Sequence, residues 1–477
     1  YIDGALSLAT VISTVAATIT VASPLQVGDS TAAGTNPYDK NLAYFAMWKR
    51  ASGWLDTHLQ DTVAEQRASL YWGWRPQQAR GTAVPTLRTR TSNAHIDKLE
   101  GTGRRLYLVG NNVPRCVSRL SKTGKTLKGY LSEYQITNTF LRSEEINDAA
   151  AWGKTRCSVT DTSTTTLPNG LTSVSDVIHE DLSVATSHYI SQSLAYTSGE
   201  VRVISFWAKA INRSFILVNA KSGAANWSLT FNLGTGVVGT VQANIMSSGI
   251  EPWGNGWYRC WLRFTADTTG AISTYLFIGE ADNDVTFTGL DQDSVYVWGL
   301  QNEVGVDYPT SYMPTAAAGV IREEDSLRYK GDDGNLGGIG SGKRGGMHAK
   351  ILMPNVDVAA TGYIIGLNDG GSGSDRFVLY SAASDVAALI SAASGEGAGA
   401  VAGTSNISNN EVHSLSGLWK TNNERLLVDG TNEGTPDTDC GIPDDLDRID
   451  IGVSEAGASQ LNGIIADIEL YSKDQRK

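Results

Sequence analysis

The chain has 477 residues, a formal net charge of -12, 18% charged residues, and 51 glycines against 12 prolines. This length exceeds what one hydrophobic core serves, so we expect two or three domains. The composition is typical of a turn-rich globular protein and not of a disordered chain. The acidic balance and the lack of a basic run argue against nucleic-acid binding.

The first part of the chain contains two patterns. The uncharged stretch 5–23 is interrupted by Ser and Thr and is rich in β-branched residues. This favours a β-hairpin, with strands Thr10–Val15 and Thr18–Ala22, over a transmembrane helix. Between 39 and 71, apolar residues recur at helical spacing, which predicts one long amphipathic helix. Its apolar stripe is expected to pack on the chain's own fold or on the same helix of another copy.

The remainder is patterned for strands. After the attachment region 1–75 we place a polar connector at 76–128, a β-rich and aromatic-rich module at 129–315, and a last module at 320–477. The last module has eight alternating segments, and Val428–Gly430 is a tight-turn signature. The predicted fold class is therefore mainly β: two antiparallel β-sandwich (jelly-roll) domains with an N-terminal β-hairpin and one long amphipathic helix.

The cysteines give little further constraint. Cys116, Cys157, Cys260 and Cys440 are far apart and lack the spacing of a zinc site. A disulfide between Cys157 and Cys260 stays open as an alternative to free thiols, although a chain of this size does not need one.

Two stretches resemble known families. The 129–315 module resembles the carbohydrate-binding-module-like jelly roll of tail fibre and structural proteins of tailed bacteriophages, through TNTFLRSEEINDAAAW, VRVISFWAKA, FNLGTGVVGT, GNGWYRCWLRFTAD, DSVYVWGLQNE and YPTSYMPT. The last module resembles a laminin-G or concanavalin-A-like sandwich, through EVHSLSGLWK, ERLLVDGT, RIDIGVS and LNGIIADIELYS. The lead-in before Gly129 and the exit after Thr315 look like strands of one body. The first module is therefore a candidate insertion into the second, with residues near Trp74–Arg90 completing that sandwich.

The resemblance implies a glycan-binding role, which needs flat aromatic faces and a few polar groups. Trp227 and Trp253 lie next to loop signals and are the first candidates for exposed platforms, and Trp257 is a third. The alternative for each is ordinary sandwich core, since strand alternation turns most aromatic side chains of the module inward.

The resemblance also implies a structural calcium ion where the first and last strands of the module meet. The candidate ligands are Glu145, Asp148 and Asp291, since Ca²⁺ prefers carboxylate and carbonyl oxygens. The alternative is that these are solvated loop acids. No cofactor is otherwise required.

No catalytic constellation is evident. The six histidines show no triad or metal spacing, and Asp467 and Glu469 lack a third acidic partner on their strand. We therefore expect a non-enzymatic protein. The resemblance implies a phage virion protein (a fibre, spike or capsid decoration subunit) on the exterior of the particle that binds host-surface glycans and forms a homotrimer. We expect it to attach to other virion proteins through 1–75, without nucleic acid or membrane insertion. The alternatives are a polysaccharide depolymerase, a purely structural capsid-binding decoration protein and a bacterial surface adhesin.

Overall fold

The computed structural model describes residues 90–472, apart from 101–102, 112, 223–224, 331–343, 355–360, 371–374, 383–384, 394–397, 444–445, 447, 455 and 458. The first strands of this range are β1 (Ala94–Glu100), β2 (Gly103–Val109), β3 (Cys116–Leu120), β4 (Thr126–Ser132) and β5 (Ile136–Asn138).

The central strands are β6 (Gly153–Thr155), β7 (Cys157–Thr166), β8 (Thr172–Glu180), β9 (Tyr189–Tyr196), β10 (Val201–Ala210), β11 (Phe215–Ser222), β12 (Ala225–Asn232), β13 (Val237–Val241), β14 (Ile245–Gly254), β15 (Trp257–Thr265), β16 (Gly270–Gly279) and β17 (Gln292–Val304). They form two six-stranded antiparallel sheets, ordered β14-β15-β10-β17-β8-β7 and β13-β12-β11-β16-β9-β6. One buried cluster joins the inner faces of these two sheets, for example Phe206 of β10 against Phe231 of β12. Residues 153–304 are therefore a β-sandwich.

The last strands are β18 (Val320–Arg322), β19 (Leu327–Lys330), β20 (Arg344–Leu352), β21 (Gly362–Asn368), β22 (Arg376–Ala382), β23 (Val386–Ala392), β24 (Gly399–Asn406), β25 (Val412–Lys420), β26 (Asn423–Val428), β27 (Thr431–Asp437), β28 (Arg448–Ile451) and β29 (Gly463–Ser472). One sheet is ordered β19-β28-β21-β22-β23-β24, and the other β27-β26-β25-β20-β29-β4-β3. Phe377 of the first sheet stacks on Trp419 of the second at 4.0 Å between ring centroids, which marks the inner faces of this second sandwich.

The turn between β26 and β27 shows how local sequence sets the register. Asp429 and Gly430 have φ values of 51° and 81°, the pair of positive angles that a type I′ turn requires. The turn aligns Val428 with Thr431 across the hairpin. The VDG signature in the sequence predicts this geometry.

The sheet order makes the first sandwich an insertion into the second. β3 and β4 precede the first sandwich in the chain, yet β4 pairs with β29 at the far end of the sequence, with Gly463 opposite Ser132. The short pair β5–β18 closes the neck where the chain leaves and re-enters the second sandwich. The connector predicted at 76–128 thus supplies β3 and the start of β4 to the C-terminal sandwich.

The hairpin β1–β2 packs between the two sandwiches. Ile96 and Tyr107 on one face contact the apolar cluster of β3, β4, β20 and β29. Leu106 on the other face joins the aromatic cluster on the outer surface of the first sandwich. Because each face of the hairpin is buried on a different sandwich, the hairpin ties the two together.

A buried charge network lies at the same junction. Asp325, whose side chain is 3% exposed, accepts from Arg90 at 3.0 Å and from Nε of Arg115 at 3.0 Å. Arg115 also pairs with Glu133 at 2.7 Å, and Arg322 lies 3.4 Å from Asp325. Burial alone would raise the pKa of Glu133, but the neighbouring guanidinium groups outweigh it and lower that pKa to about 2. The network therefore holds the Glu133 carboxylate ionised inside the junction.

Several expectations need correction or lie outside this range. The predicted fold class was wrong in including a long amphipathic helix: the described residues contain strands and turns and no helix, so the fold described is all β. The segments 39–71 and 10–22, on which the helix and the hairpin were predicted, lie outside the described residues. No segment within the described residues qualifies as a membrane-spanning helix. All four cysteines are free thiols, so the Cys157–Cys260 disulfide is not formed.

Candidate functional site

The three tryptophans expected to bind glycans are all buried. Trp227 is 1% exposed and stacks on Phe264 at 4.8 Å between the two sheets of the first sandwich. Trp253 is 2% exposed and Trp257 is 1% exposed, and their indole N–H groups donate to the carbonyls of residues 168 and 166. The expectation of exposed platforms is therefore corrected, and the alternative of ordinary core describes their placement.

Trp253 and Trp257 are buried because other segments of the chain pack over the outer face of their sheet, which the sequence pattern does not predict. Trp207, Trp253 and Trp298 do lie on the outer face of their sheet, where alternation places them. Leu106 of the hairpin and Tyr312 of the exit segment close over that face, and Tyr312 lies 5.3 Å from Trp207 in an edge-on contact. A face that would stack on sugar in an isolated module is thus an internal contact here.

The predicted calcium ligands do not form one site. Glu145 and Asp148 both pair with Arg142, at 2.6 and 3.1 Å. Asp291 instead accepts from His179 at 3.2 Å. Because Arg142 and His179 engage these carboxylates, and no group of three acidic, His or Cys side chains in the described part could hold a metal ion, the three residues do not fit a calcium site.

A pair of carboxyl groups lies near the first two of these acids. Asp161 hydrogen-bonds Asp176, which also accepts from the backbone N–H of Ile146 at 2.7 Å. Burial, followed by the contact with Asp161, raises the pKa of Asp176 to about 8. Asp176 is therefore mainly neutral at pH 7, which is the expected effect of burial beside a second carboxyl group.

An open site lies on the outer face of the six-stranded sheet of the second sandwich. A shallow cavity of about 140 Å³ is lined there by Thr361, Tyr363, Arg376, Val378, Tyr380 and Ile390. The strand register explains the grouping: Tyr363 pairs with Tyr380, and Val378 pairs with Ile390. The alternate residues Phe377 and Leu389 point into the core of the sandwich, against Trp419 and Gly417.

Two half-buried tyrosines form the wall of this cavity. The rings of Tyr363 and Tyr380 lie 6.3 Å apart with a 40° angle between their planes. Arg376 donates to the Tyr363 hydroxyl at 3.2 Å and so fixes that ring. Burial raises the pKa of the Tyr380 phenol, which keeps it a neutral hydroxyl able to donate and accept hydrogen bonds.

The polar edge of the same face is pre-arranged. Asn368 lies directly opposite Arg376 on one side and Arg448 on the other. Its amide donates to Asp450 at 2.8 Å, and Asp450 also pairs with Arg328. These side chains form a row beside the cavity, and the contacts of Asp450 with Asn368 and Arg328 fix the middle of that row.

Gly366 lies between that row and the tyrosines. It lies opposite Asp450 on one strand and Val378 on the other, with Tyr363 3.7 Å from the place a Cβ would take. The arrangement thus offers an apolar floor, two aromatic walls and several hydrogen-bonding groups, which suits binding of a polar ring-shaped molecule.

Two acidic side chains of the second sandwich are engaged by neighbouring groups. Asp450 is fully buried and bound by Arg328 and Asn368. On β29, of the other sheet, Asp467 pairs with Lys350 at 2.7 Å. The sequence pattern alone does not predict the open site, because TGYIIGLND and DRFVLYSA contain few aromatic residues. The signal was the pair of outward-facing tyrosines, which becomes visible only once the register is known.

Comparisons with known proteins add little. No protein-family model matches the chain, and no curated protein matches it significantly. Among solved structures, domains LG4-5 of the mouse laminin alpha1 chain are similar, with 14% identity, coverage of 61% of this chain and 88% of that chain, and a TM-score of 0.24. The LG1-3 region of the laminin alpha2 chain is similar with 9% identity, coverage of 60% and 65%, and a TM-score of 0.25.

Both neighbours are laminin G domains, which are β-sandwiches. TM-scores this low carry no argument, so the sandwich architecture rests on the sheet topology described above. Neither comparison supports a phage origin.

Proposed function

We propose that this chain is a non-enzymatic saccharide-binding protein whose site is the outer face of β21, β22 and β23. The observation that carries the proposal is the pairing of Tyr363 with Tyr380 around a small open cavity, with Arg376 at its edge. A sugar ring has an apolar face and a rim of hydroxyls, and such a ring needs an aromatic surface beside fixed polar groups.

The size of the cavity limits what it holds. About 140 Å³ is well below the ~300–1,000 Å³ of pockets that enclose a drug-sized ligand. One sugar unit would sit between the tyrosines over Val378, with Arg376 at its edge. Single sites of this kind bind weakly, so several copies on one particle would raise the effective affinity.

The biological setting is proposed on the sequence resemblance alone. We infer a tailed-phage virion protein displayed on the outside of the particle, attached through the N-terminal region to other virion proteins and assembled as a homotrimer. Host-surface glycans would be the ligands. The support is the set of motifs in 129–315, and the structure and comparisons do not bear on this setting.

The proposed site is tested by binding of the full chain to a panel of bacterial surface polysaccharides and their oligosaccharides. We expect at least one ligand to bind, and Tyr380→Ala to weaken its binding about tenfold or more, as expected for an aromatic contact at the centre of a site. Val237→Ala is the matched surface control, since Val237 is 52% exposed on the other sandwich. Retained affinity in Tyr380→Ala, or no ligand in the panel, contradicts the proposal.

A further inference from the structure

The two ends of β8 carry the most exposed large hydrophobic side chains of the described part of the chain. Leu182, Val184 and Leu290 lie beyond its C-terminal end, exposed by 66%, 72% and 60%. Leu171 lies immediately before its first residue and is 58% exposed, and Leu108 on the adjoining hairpin is 63% exposed. At about 3.3 Å per residue the nine residues of β8 separate these ends by about 30 Å.

The C-terminal end of β8 is rigid. Glu180, which is fully buried, accepts from Arg213 at 2.8 Å and from the backbone N–H of Leu290 at 3.1 Å. The backbone N–H of Gly289 donates to the carbonyl of Ser183 at 3.0 Å, which joins the two loops that carry the exposed side chains. The loops are therefore held in place with their apolar side chains in water, which is unfavourable unless a partner covers them.

This end is acidic. The carboxylates of Asp181, Asp291 and Asp293 are 48%, 66% and 34% exposed. His179 lies between Asp291 and Asp293, at 3.2 and 2.9 Å. The other cations here are Arg213, which Glu180 and Glu280 bind, and the exposed Arg156. With His179 neutral, the five acids and two arginines leave a net charge of -3, since -5 + 2 = -3.

The opposite end is basic, since Arg105 and Lys98 add to Arg104, which pairs with Asp97 and Glu251. Arg105 donates to the carbonyl of Asn169 at 3.0 Å, which places its guanidinium against the turn that carries Leu171. Lys98 lies directly across the hairpin from Arg105, and both cations lie over the ring of Tyr107, at 5.1 and 5.0 Å from its centroid. Leu106 donates its backbone N–H to the carbonyl of residue 168, so the hairpin and the turn form one surface.

We propose that copies of this chain associate head to tail, with the acidic end around Leu182 and Val184 seated on the basic end around Leu171 of the next copy. Each end supplies exposed apolar side chains at its centre and charges of opposite sign at its edge, which is the complementarity that steers and orients association. A two-fold contact centred on one end alone would instead place acid against acid or base against base. A head-to-tail contact produces a ring if its rotation closes and a filament if it does not.

The test uses the full chain and two substitutions at exposed positions. Val184→Lys places a cation opposite the basic end of the next copy, and Leu171→Glu places an anion opposite the acidic end. We expect each to weaken self-association, measured by sedimentation velocity over a concentration series, by about tenfold. The double variant places the new Lys against the new Glu and restores association. Val237→Lys, at an exposed position elsewhere, leaves it unchanged.

Raising the salt concentration is expected to weaken association of the wild type, because exposed charges are screened beyond about 10 Å at 0.1 M salt. The proposal is overturned if the wild type is monomeric throughout. It is also overturned if association is the same in both single variants as in the wild type, which would place the contact elsewhere in the chain. Failure of the double variant to recover would equally contradict the pairing of the two ends.

Discussion

Replacing Asp325 by Asn tests whether the buried charge network holds the junction of the two sandwiches. The carboxylate is 3% exposed and faces Arg90, Arg115 and Arg322. The amide keeps the shape of the side chain but removes its charge, so three buried guanidinium groups are left with Glu133 as their acidic partner. Breaking a buried ion pair in this way costs about 3–5 kcal/mol, because the remaining charges stay desolvated and uncompensated.

The assay is equilibrium unfolding in urea, followed by tryptophan fluorescence and circular dichroism. Aromatic side chains of the cluster around Trp207 lie beside the junction and report on it. Glu323→Gln is the matched control two positions away, where the side chain is bonded to Gln135 at the surface, and it is expected to change stability by less than about 0.5 kcal/mol. A loss below about 1 kcal/mol in Asp325→Asn would refute the argument that this carboxylate holds the junction.

Three further predictions concern buried or titrating groups. Burial raises the pKa of Glu424 to about 7, so the folded state holds a proton that the unfolded state releases near 4.5, and stability falls as pH rises between these values. In Glu424→Gln the free energy of unfolding should decrease by about 3 kcal/mol less between pH 4.5 and 8 than in the wild type. An unchanged pH profile of unfolding would contradict this. Hydrogen bonds to Asp293, and more weakly to Asp291, raise the pKa of His179, so its stabilising contribution is full below about pH 6.5 and is lost as pH rises through the higher folded value. His179→Gln should lose stability at pH 5.5 and little at pH 9, by thermal unfolding at both values. Trp227→Ala removes a core side chain and should lower the free energy of unfolding, measured in urea, by about 3–5 kcal/mol. A change near zero would mean that Trp227 lies at the surface.

The strand pattern predicted much of the local structure but not what covers each face. Phe206 and Trp207, adjacent in β10, lie on opposite faces of their sheet as period-two alternation requires. Alternation cannot say whether the outer face meets water. That depends on the hairpin Ala94–Val109. Its residue Arg104 lies over the ring of Trp253, which is about 150 positions further along the chain.

The open site was missed for a related reason. Tyr363 and Tyr380 are 17 positions apart and each belongs to an unremarkable alternating segment. They meet only because β21 and β22 are hydrogen-bonded in a register that aligns them, with a bulge between Tyr363 and Ile365. Register depends on the turn and on core packing together, and a single sequence fixes neither with enough precision to pair outward-facing residues.

The flanking segments suggested the insertion of one sandwich into the other, and the connector 76–128 was a possible source of strands for the C-terminal sandwich. The residues that add to the C-terminal sheet are Cys116–Leu120 and Thr126–Ser132. Charged residues before and after the inserted module, such as Arg115 and Asp325, are 210 positions apart and form one buried pair. Sequence pattern assigns isolated charges to the surface, so a buried partner so distant gives no local signal.

The most direct test of the account is hydroxyl-radical footprinting of the full chain with a saccharide from the binding panel. The account predicts that Tyr363 and Tyr380 are modified in the free protein and protected when the saccharide is bound, while Tyr258 on the other sandwich is unaffected. Protection confined to the first sandwich, or binding that leaves both tyrosines as reactive as before, would contradict it.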